Sequence, residues 1–240
     1  MKDIHTHILY GVDDGSTSLE ESIKILEIAS NNNVTDVVLT PHYIKETKFN
    51  ANNQSKEKII KELKQELLKR NININLYLGN EVYIDKNLIS LYKEISTINN
   101  SRYILIELPL TNKYLFLDEV LLELKNHNLV PIIAHPERYN QYYKNYDFYK
   151  SLVQKGCLLQ GNIGSLYGLY GRKAKKMLKE LLKNNLIHVM ASDIHHNHKI
   201  YIKNINKDLL KIVKNKQIVE KLLEINPDKI INNKEIDEEE

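Results

Sequence analysis

Short apolar runs alternate with longer amphipathic stretches along this chain. Residues 34–40 (VTDVVLT) are the clearest run. Residues 72–78, 103–108, 130–134, 157–160 and 187–191 repeat its character, and Ile4 with its neighbours forms a shorter first member. Such runs are too short for helices and too uniformly apolar for a half-wet sheet, so they read as strands buried on both faces. Between them, residues 19–31, 54–70, 114–127, 148–155 and 172–184 carry apolar positions at helical spacing. In the first of these Ile23 and Leu26 share a face with Ile25 and Ala29. Ser18, followed three residues later by Glu21, marks its start as a capping box. Strand–helix alternation implies a parallel sheet covered by helices. Seven such strands point to a closed barrel, so the predicted fold is α/β, a distorted TIM-like (β/α)7 barrel.

Two further helices, 202–213 and 218–223, follow the last strand. No linker divides the chain, because 50–53 reads only as a polar loop. Residues 1–231 therefore read as one domain, and the acidic segment 232–240 as a disordered tail. A length of 240 residues suits a single α/β barrel. The net charge is +3, from 34 basic and 31 acidic residues. That is too balanced to imply nucleic-acid binding. Lys56, Lys58, Lys61 and Lys64 read as a solvated helix face. The single cysteine, Cys157, excludes an internal disulfide and suits a reducing compartment. No apolar leader precedes Ile4, and no apolar run approaches the ~18 residues of a membrane span. A cytoplasmic protein without membrane insertion is expected.

The chemistry collects just past the strands. His5 and His7 alternate along the first strand, so their side chains point the same way. Asp13, Asp14 and Gly15 follow. Later strands end in Thr40-Pro41-His42, Gly79-Asn80-Glu81, Ile106-Glu107-Leu108, His135-Pro136-Glu137-Arg138, Gly161-Asn162 and Ser192-Asp193-Ile194-His195. Barrel enzymes build their sites at this carboxyl face. Taken singly, each residue has a structural explanation. Asp13-Asp14-Gly15 is most simply a turn, and Arg138 suits a salt bridge to Glu137 or Asp147. Taken together, ligand-type residues at nearly every strand end indicate a cluster of two or three metal ions. Imidazole with carboxylate and no thiolate suits Mn²⁺, Fe²⁺ or Zn²⁺ in a catalytic setting. Other chemistries fail on spacing. There is no Gly-x4-Gly-Lys-Ser/Thr loop, and Ile163 stands where a cysteine phosphatase needs an arginine after Cys157. The glycines at 161, 164, 168 and 171 read as a flexible loop ahead of a helix.

The strings Asp3-Ile4-His5-Thr6-His7-Ile8-Leu9, Gly11-Val12-Asp13-Asp14-Gly15, Thr40-Pro41-His42, His135-Pro136-Glu137-Arg138 and Ser192-Asp193-Ile194-His195 resemble the PHP (polymerase and histidinol phosphatase) superfamily. More closely, they resemble its bacterial manganese-dependent protein tyrosine phosphatases, regulators of capsule and exopolysaccharide synthesis. Residues 161–166 and 171–174 fit that pattern as well. The resemblance implies a trinuclear Mn²⁺ site. One metal takes His5, His7, Glu81 and Asp193, a second takes Glu81, Glu107 and His135, and a third takes Asp14, His42 and His195. It also implies phosphotyrosine on a bacterial tyrosine autokinase as the substrate. Water activated by the metals is expected to attack phosphorus in line. Catalytic weight falls on Arg138, His42 and Asp193, and substrate binding on Arg138 and Lys199. The family carries a second arginine after Ser-Asp-x-His. Lys199 stands near that place here, with a point charge in place of a planar fork. Histidinol-phosphate phosphatase, or another small-molecule phosphomonoesterase on the same barrel, is the alternative enzyme. A metal-binding regulator without turnover is the non-enzymatic one.

Overall fold

A computed structural model of the chain describes residues 1–50, 53–196 and 204–236. Its strands are β1 (Lys2–Thr6), β2 (Asp36–Leu39), β3 (His42–Tyr43), β4 (Asn75–Leu78), β5 (Glu81–Tyr83), β6 (Tyr103–Glu107), β7 (Val130–Ala134), β8 (Leu158–Asn162) and β9 (Val189–Ala191). Every pairing is parallel. One sheet runs β1-β2-β4 and the other β3-β5-β6-β7-β8-β9. A parallel bridge from Thr6 to Ile194 joins the first strand to the last. His7 N donates to Ile194 O, and Asp193 N to His5 O, both at 2.9 Å. Because β3 continues β2 and β5 continues β4, the two ladders form one closed barrel of seven strand positions, as the alternation predicts.

The expected second and third strands are each broken near their ends. Pro41 has no N–H to give a ladder, and Asn80 stitches the break. Its Nδ2 donates to Pro41 O at 2.9 Å, while its Oδ1 accepts Ser96 N at 2.8 Å. Past the break the chain re-pairs with His42 opposite Glu81. The break therefore sets two candidate ligands side by side.

The helices follow in order: α1 (Leu19–Asn31), α2 (Asn53–Lys69), α3 (Leu117–Asn126), α4 (Tyr146–Gln154), α5 (Ile163–Tyr167), α6 (Gly171–Lys183), α7 (Ile205–Val213), α8 (Lys216–Glu220) and α9 (Asn226–Ile231). Between β5 and β6 only 3-10 turns occur, at Leu88–Leu91 and Ile98–Asn100, which distorts the barrel there. Ser18 caps α1 by accepting Glu21 N. The Glu21 carboxylate reaches Thr17 N, one residue short of a reciprocal box. Helix α6 docks through buried Ala174, Met177, Leu178, Leu181 and Leu182. Each such leucine contributes about 1.5–3 kcal/mol, whereas an exposed pair like Lys183–Glu180 contributes about 0.3–0.5 kcal/mol. The apolar stripe thus decides the packing.

Three expectations are corrected. Gly161 and Asn162 belong to β8, and 163–167 is a helix, so the glycine run is ordered structure and not a flexible loop. The tail is docked as far as 236. Asn233 Oδ1 accepts Arg102 N, and Lys234 O accepts Tyr103 Oη. Residues 237–240, Lys199 and the predicted helix start at 202 lie outside the described residues. The third correction is Lys56, which is fully buried. It occupies the inward stripe of α2 with Ile60, Leu63 and Leu67, a spacing of four, three and four that the sequence displayed. Its ammonium donates to Asn80 Oδ1 and Ser96 Oγ.

Burial pushes the Lys56 ammonium down to about 8. Between that value and the unfolded value near 10.4, the unfolded chain holds a proton that the folded chain has released, so stability rises with pH across this window. Below about 8 both states are charged and the burial cost is constant. Lys56→Met removes the effect. The stability of the wild type relative to this variant is expected to climb between pH 8 and 10.5, by about 3 kcal/mol at the limit. Urea unfolding of both proteins along that range checks this, and parallel stability curves would contradict it.

Candidate metal centre

The barrel mouth gathers every candidate ligand that the sequence offered. His5 and His7 stand on β1 and just past it, with their Nε2 atoms 3.2 Å apart. His5 Nε2 lies 3.2 Å from Glu81 Oε2 and 3.3 Å from Asp193 Oδ1. His7 Nε2 lies 3.2 and 3.4 Å from the same two oxygens. Around Asp14, His42 Nε2 is at 3.6 Å and His195 Nε2 at 3.5 Å. His135 Nε2 is 2.9 Å from Glu81 Oε1 and 3.6 Å from Glu107 Oε1. Three groups of donor atoms thus converge: His5, His7, Glu81 and Asp193; His7, Asp14, His42 and His195; and His42, Glu81 and Glu107. The first matches the expected set. The second adds His7 to the expected Asp14, His42 and His195. In the third, His42 stands with Glu81 and Glu107 where His135 was expected, and His135 instead lies against Glu81 Oε1 from outside the group. Glu81 is shared by the first and third groups, His7 by the first and second, and His42 by the second and third.

The surrounding hydrogen bonds fix which ring nitrogens face inward. The Gln160 amide gives its nitrogen to Asn162 Oδ1 at 2.8 Å, so its oxygen faces His5 Nδ1, also at 2.8 Å. His7 Nδ1 is 2.7 Å from Asp13 Oδ2, and His195 Nδ1 is 3.1 Å from the Asp193 carbonyl. Each Nδ1 therefore carries a proton, and each Nε2 is left to ligate a metal in place of a second proton. Asp193 is oriented the same way. Its Oδ2 accepts Asn162 Nδ2 at 2.6 Å, Arg138 Nη1 at 3.0 Å and Tyr170 Oη at 3.2 Å, leaving Oδ1 to the mouth. Two lone pairs and two carboxylate oxygens converging in a buried space repel unless a cation sits among them. Glu81 Oε2 and His42 Nδ1, 3.1 Å apart, are both buried without a hydrogen-bond partner, as is His135 Nδ1. This donor set fits divalent metals.

The charges agree with the geometry. Burial opposes ionisation of Glu81, but His5 and His42 outweigh it and hold the carboxyl well below the usual range. Burial would also lower His5, yet Glu81 and Asp193 raise it to about 9. Burial, reinforced by the Glu81 charge, pushes Glu107 up to about 8. The hydrogen bond to His195 draws Asp14 down to about 2. Burial leads in holding His42 below its ordinary value.

The backbone is shaped for this mouth. His135, at φ 33° and ψ 56°, and Asp193, at φ 53°, both adopt the left-handed conformation that non-glycine residues seldom take. Gly15 lies so close to the backbone just past β1 that a Cβ there would fall 2.0 Å from His7 O. Asp13 Oδ1 accepts Gly15 N at 2.9 Å, and its Oδ2 accepts His42 N at 3.0 Å. The turn reading of this segment holds, and the turn also orients His7. Arg138 pairs with Asp193 and not with Glu137 or Asp147; Glu137 accepts Asn162 N at 3.0 Å instead. The sequence reading missed the supporting roles of Asp13, Gln160, Asn162 and Tyr170. Gln160 and Asn162 did carry a signal, as polar residues alternating inward at a strand end. Tyr170 carried none.

A parallel barrel whose carboxyl face converges imidazoles and carboxylates belongs, by architecture, with the metal-dependent hydrolase barrels. The particular family follows from comparison. A family model described as capsular polysaccharide synthesis, CpsB/CapC, matches residues 1–232, and the chain belongs to that family. It is 40% identical over 198 residues to the putative tyrosine-protein phosphatase CapC of Staphylococcus aureus, covering 81% of this chain and 77% of that protein. It is 31% identical over 199 residues to the tyrosine-protein phosphatase YwqE of Bacillus subtilis, covering 81% and 77%. Among solved structures, a chain from the work on YwqE of Bacillus subtilis and CpsB of Streptococcus pneumoniae, described as metal-dependent tyrosine phosphatases, superposes with a TM-score of 0.90. It is 28% identical and covers 99% of this chain and 96% of that one.

Proposed function

We propose that this chain is a metal-dependent protein tyrosine phosphatase that hydrolyses phosphotyrosine on a bacterial tyrosine autokinase and so regulates capsule or exopolysaccharide synthesis. The activity resides in residues 1–231, and Mn²⁺ is the working ion. The observation that carries the reading is the convergence of His5, His7, Glu81 and Asp193 beside a half-buried arginine, Arg138. Membership of the CpsB/CapC family supports it, as does the tyrosine-protein phosphatase activity for which these relatives are named.

His5, His7, Asp14, His42, Glu81, Glu107, His135, Asp193 and His195 would hold two or three ions. When bound, these supply Lewis acidity, lowering the pKa of water and neutralising phosphoryl charge. Arg138 presents guanidinium N–H groups to phosphate oxygens from the rim of the cluster. His42 serves as a ligand. A tyrosine phenolate, with a pKa near 10, leaves with little protonation. Cys157 takes no part, because it is buried and burial pushes its thiol up to about 12. No phosphoenzyme is needed. Among the described residues no helix is long and apolar enough to cross a membrane.

Activity on a phosphotyrosine peptide is expected to exceed that on histidinol phosphate or a phosphoserine peptide. It should vanish with chelator, return best with Mn²⁺, and survive thiol alkylation. Steady-state assays on these substrates before and after chelation test the reading. A preference for histidinol phosphate, or inactivation by alkylation with metals retained, would overturn it.

A further inference from the structure

The glycines between 161 and 171 have no role in the chemistry described so far, yet they end on a tyrosine that touches it. Helix α5 stops at Gly168, whose φ of 85° is left-handed. Leu169 N returns to Gly164 O and Gly171 N to Gly168 O, both at 3.0 Å. This tight return lays the Tyr170 ring beside Gly164, where a Cβ would lie only 3.2 Å from Tyr170 Cε2 and 3.1 Å from Leu169 Cδ2. The ring then faces Arg138, with the guanidinium carbon 4.3 Å from its centroid. The Tyr170 hydroxyl donates to Asp193 Oδ2 at 3.2 Å, the same oxygen that accepts Arg138 Nη1 at 3.0 Å.

A guanidinium seated over an aromatic face is held from one side, which leaves N–H groups along its edge for an anion. Asp193 alone anchors one nitrogen and leaves the plane free to rotate. The ring removes that freedom. We propose that Tyr170 is a positioning residue that fixes the plane of the Arg138 guanidinium and thereby sets the affinity of the site for a phosphoryl group. This deepens the phosphatase reading and rests on it. The glycine run is then the device that delivers the ring, with Gly164 leaving the space the ring occupies.

The test is calorimetric binding of inorganic phosphate to the Mn²⁺-loaded protein, beside kcat/KM on a phosphotyrosine peptide and metal analysis. Tyr170→Leu keeps apolar bulk but removes the π face. It is expected to weaken phosphate binding and lower kcat/KM about tenfold, the order of a desolvated cation–π contact, with metal content unchanged. Tyr170→Phe, which keeps the face, should stay within about twofold of wild type. Gly164→Ala, which crowds the ring, should reproduce part of the Tyr170→Leu loss. In an Arg138→Ala background Tyr170→Leu should add nothing, because the two residues act as one unit. Unchanged phosphate affinity in Tyr170→Leu, an equal loss in Tyr170→Phe, or losses that add in the double variant would each overturn the proposal. Wild-type protein that binds phosphate but leaves phosphotyrosine intact would sink the phosphatase reading instead, with the Tyr170 comparison still decided by calorimetry.

Discussion

Asp193→Asn and His5→Ala are each expected to cut kcat by ~10³-fold or more, because removing Lewis-acid stabilisation forfeits several kcal/mol at the transition state. Both should also lose bound metal. Asp193 Oδ1 lies within 3.4 Å of both His5 Nε2 and His7 Nε2, so it sits where a shared ion would be gripped. Asparagine keeps the volume and an oxygen for Arg138, Asn162 and Tyr170 but surrenders the charge. His5 and Asp193 lie on the buried floor of the mouth and not on its open rim. Alanine at His5 therefore leaves Gln160 Oε1 without its partner, a cost of about 1–3 kcal/mol. Circular dichroism must accompany metal analysis for this reason. A folded variant with full metal content and a near-normal rate would show that the ligand assignment is wrong.

Arg138→Ala is expected to lower kcat/KM by about 10²–10³, the usual cost of one charge-assisted contact to the transition state. Arg138→Lys should recover only part, since an ammonium cannot reproduce the planar fork. Metal content should not change in either variant, because the guanidinium touches Asp193 through Oδ2 and leaves Oδ1 free. Kinetics beside metal analysis separate phosphate binding from metal binding. An Arg138→Ala enzyme with normal kcat/KM would make the arginine structural.

The candidate ligands were legible in the sequence because a parallel barrel forces a regular relation. Each apolar run ends at one face, so a His, Asp or Glu immediately after it is delivered to the mouth. His7, one residue past β1, His135, one past β7, and Asp193, two past β9, obey that relation. What lay hidden depends on contacts across the barrel. The apolar runs at 34–40 and 72–78 carried no hint that the chain re-pairs beyond Pro41 and Asn80, which sets His42 opposite Glu81. Lys56 was read by its charge and not by its place on the stripe of Ile60, Leu63 and Leu67. The ring of hydrogen bonds from His5 through Gln160 and Asn162 to Asp193 joins positions more than 150 residues apart in sequence. The partner of Arg138 was sought nearby, at Glu137 and Asp147, and lies instead at Asp193, 55 residues away.

The most direct test of the central claim follows metal and catalysis together. Metal-free protein is titrated with Mn²⁺ while bound ion and hydrolysis of a phosphotyrosine peptide are measured on the same samples. The account predicts no turnover without metal and activity that rises with occupancy, to a plateau at two or three ions per chain. Turnover by metal-free protein, or a fully loaded site that leaves phosphotyrosine intact, would contradict it.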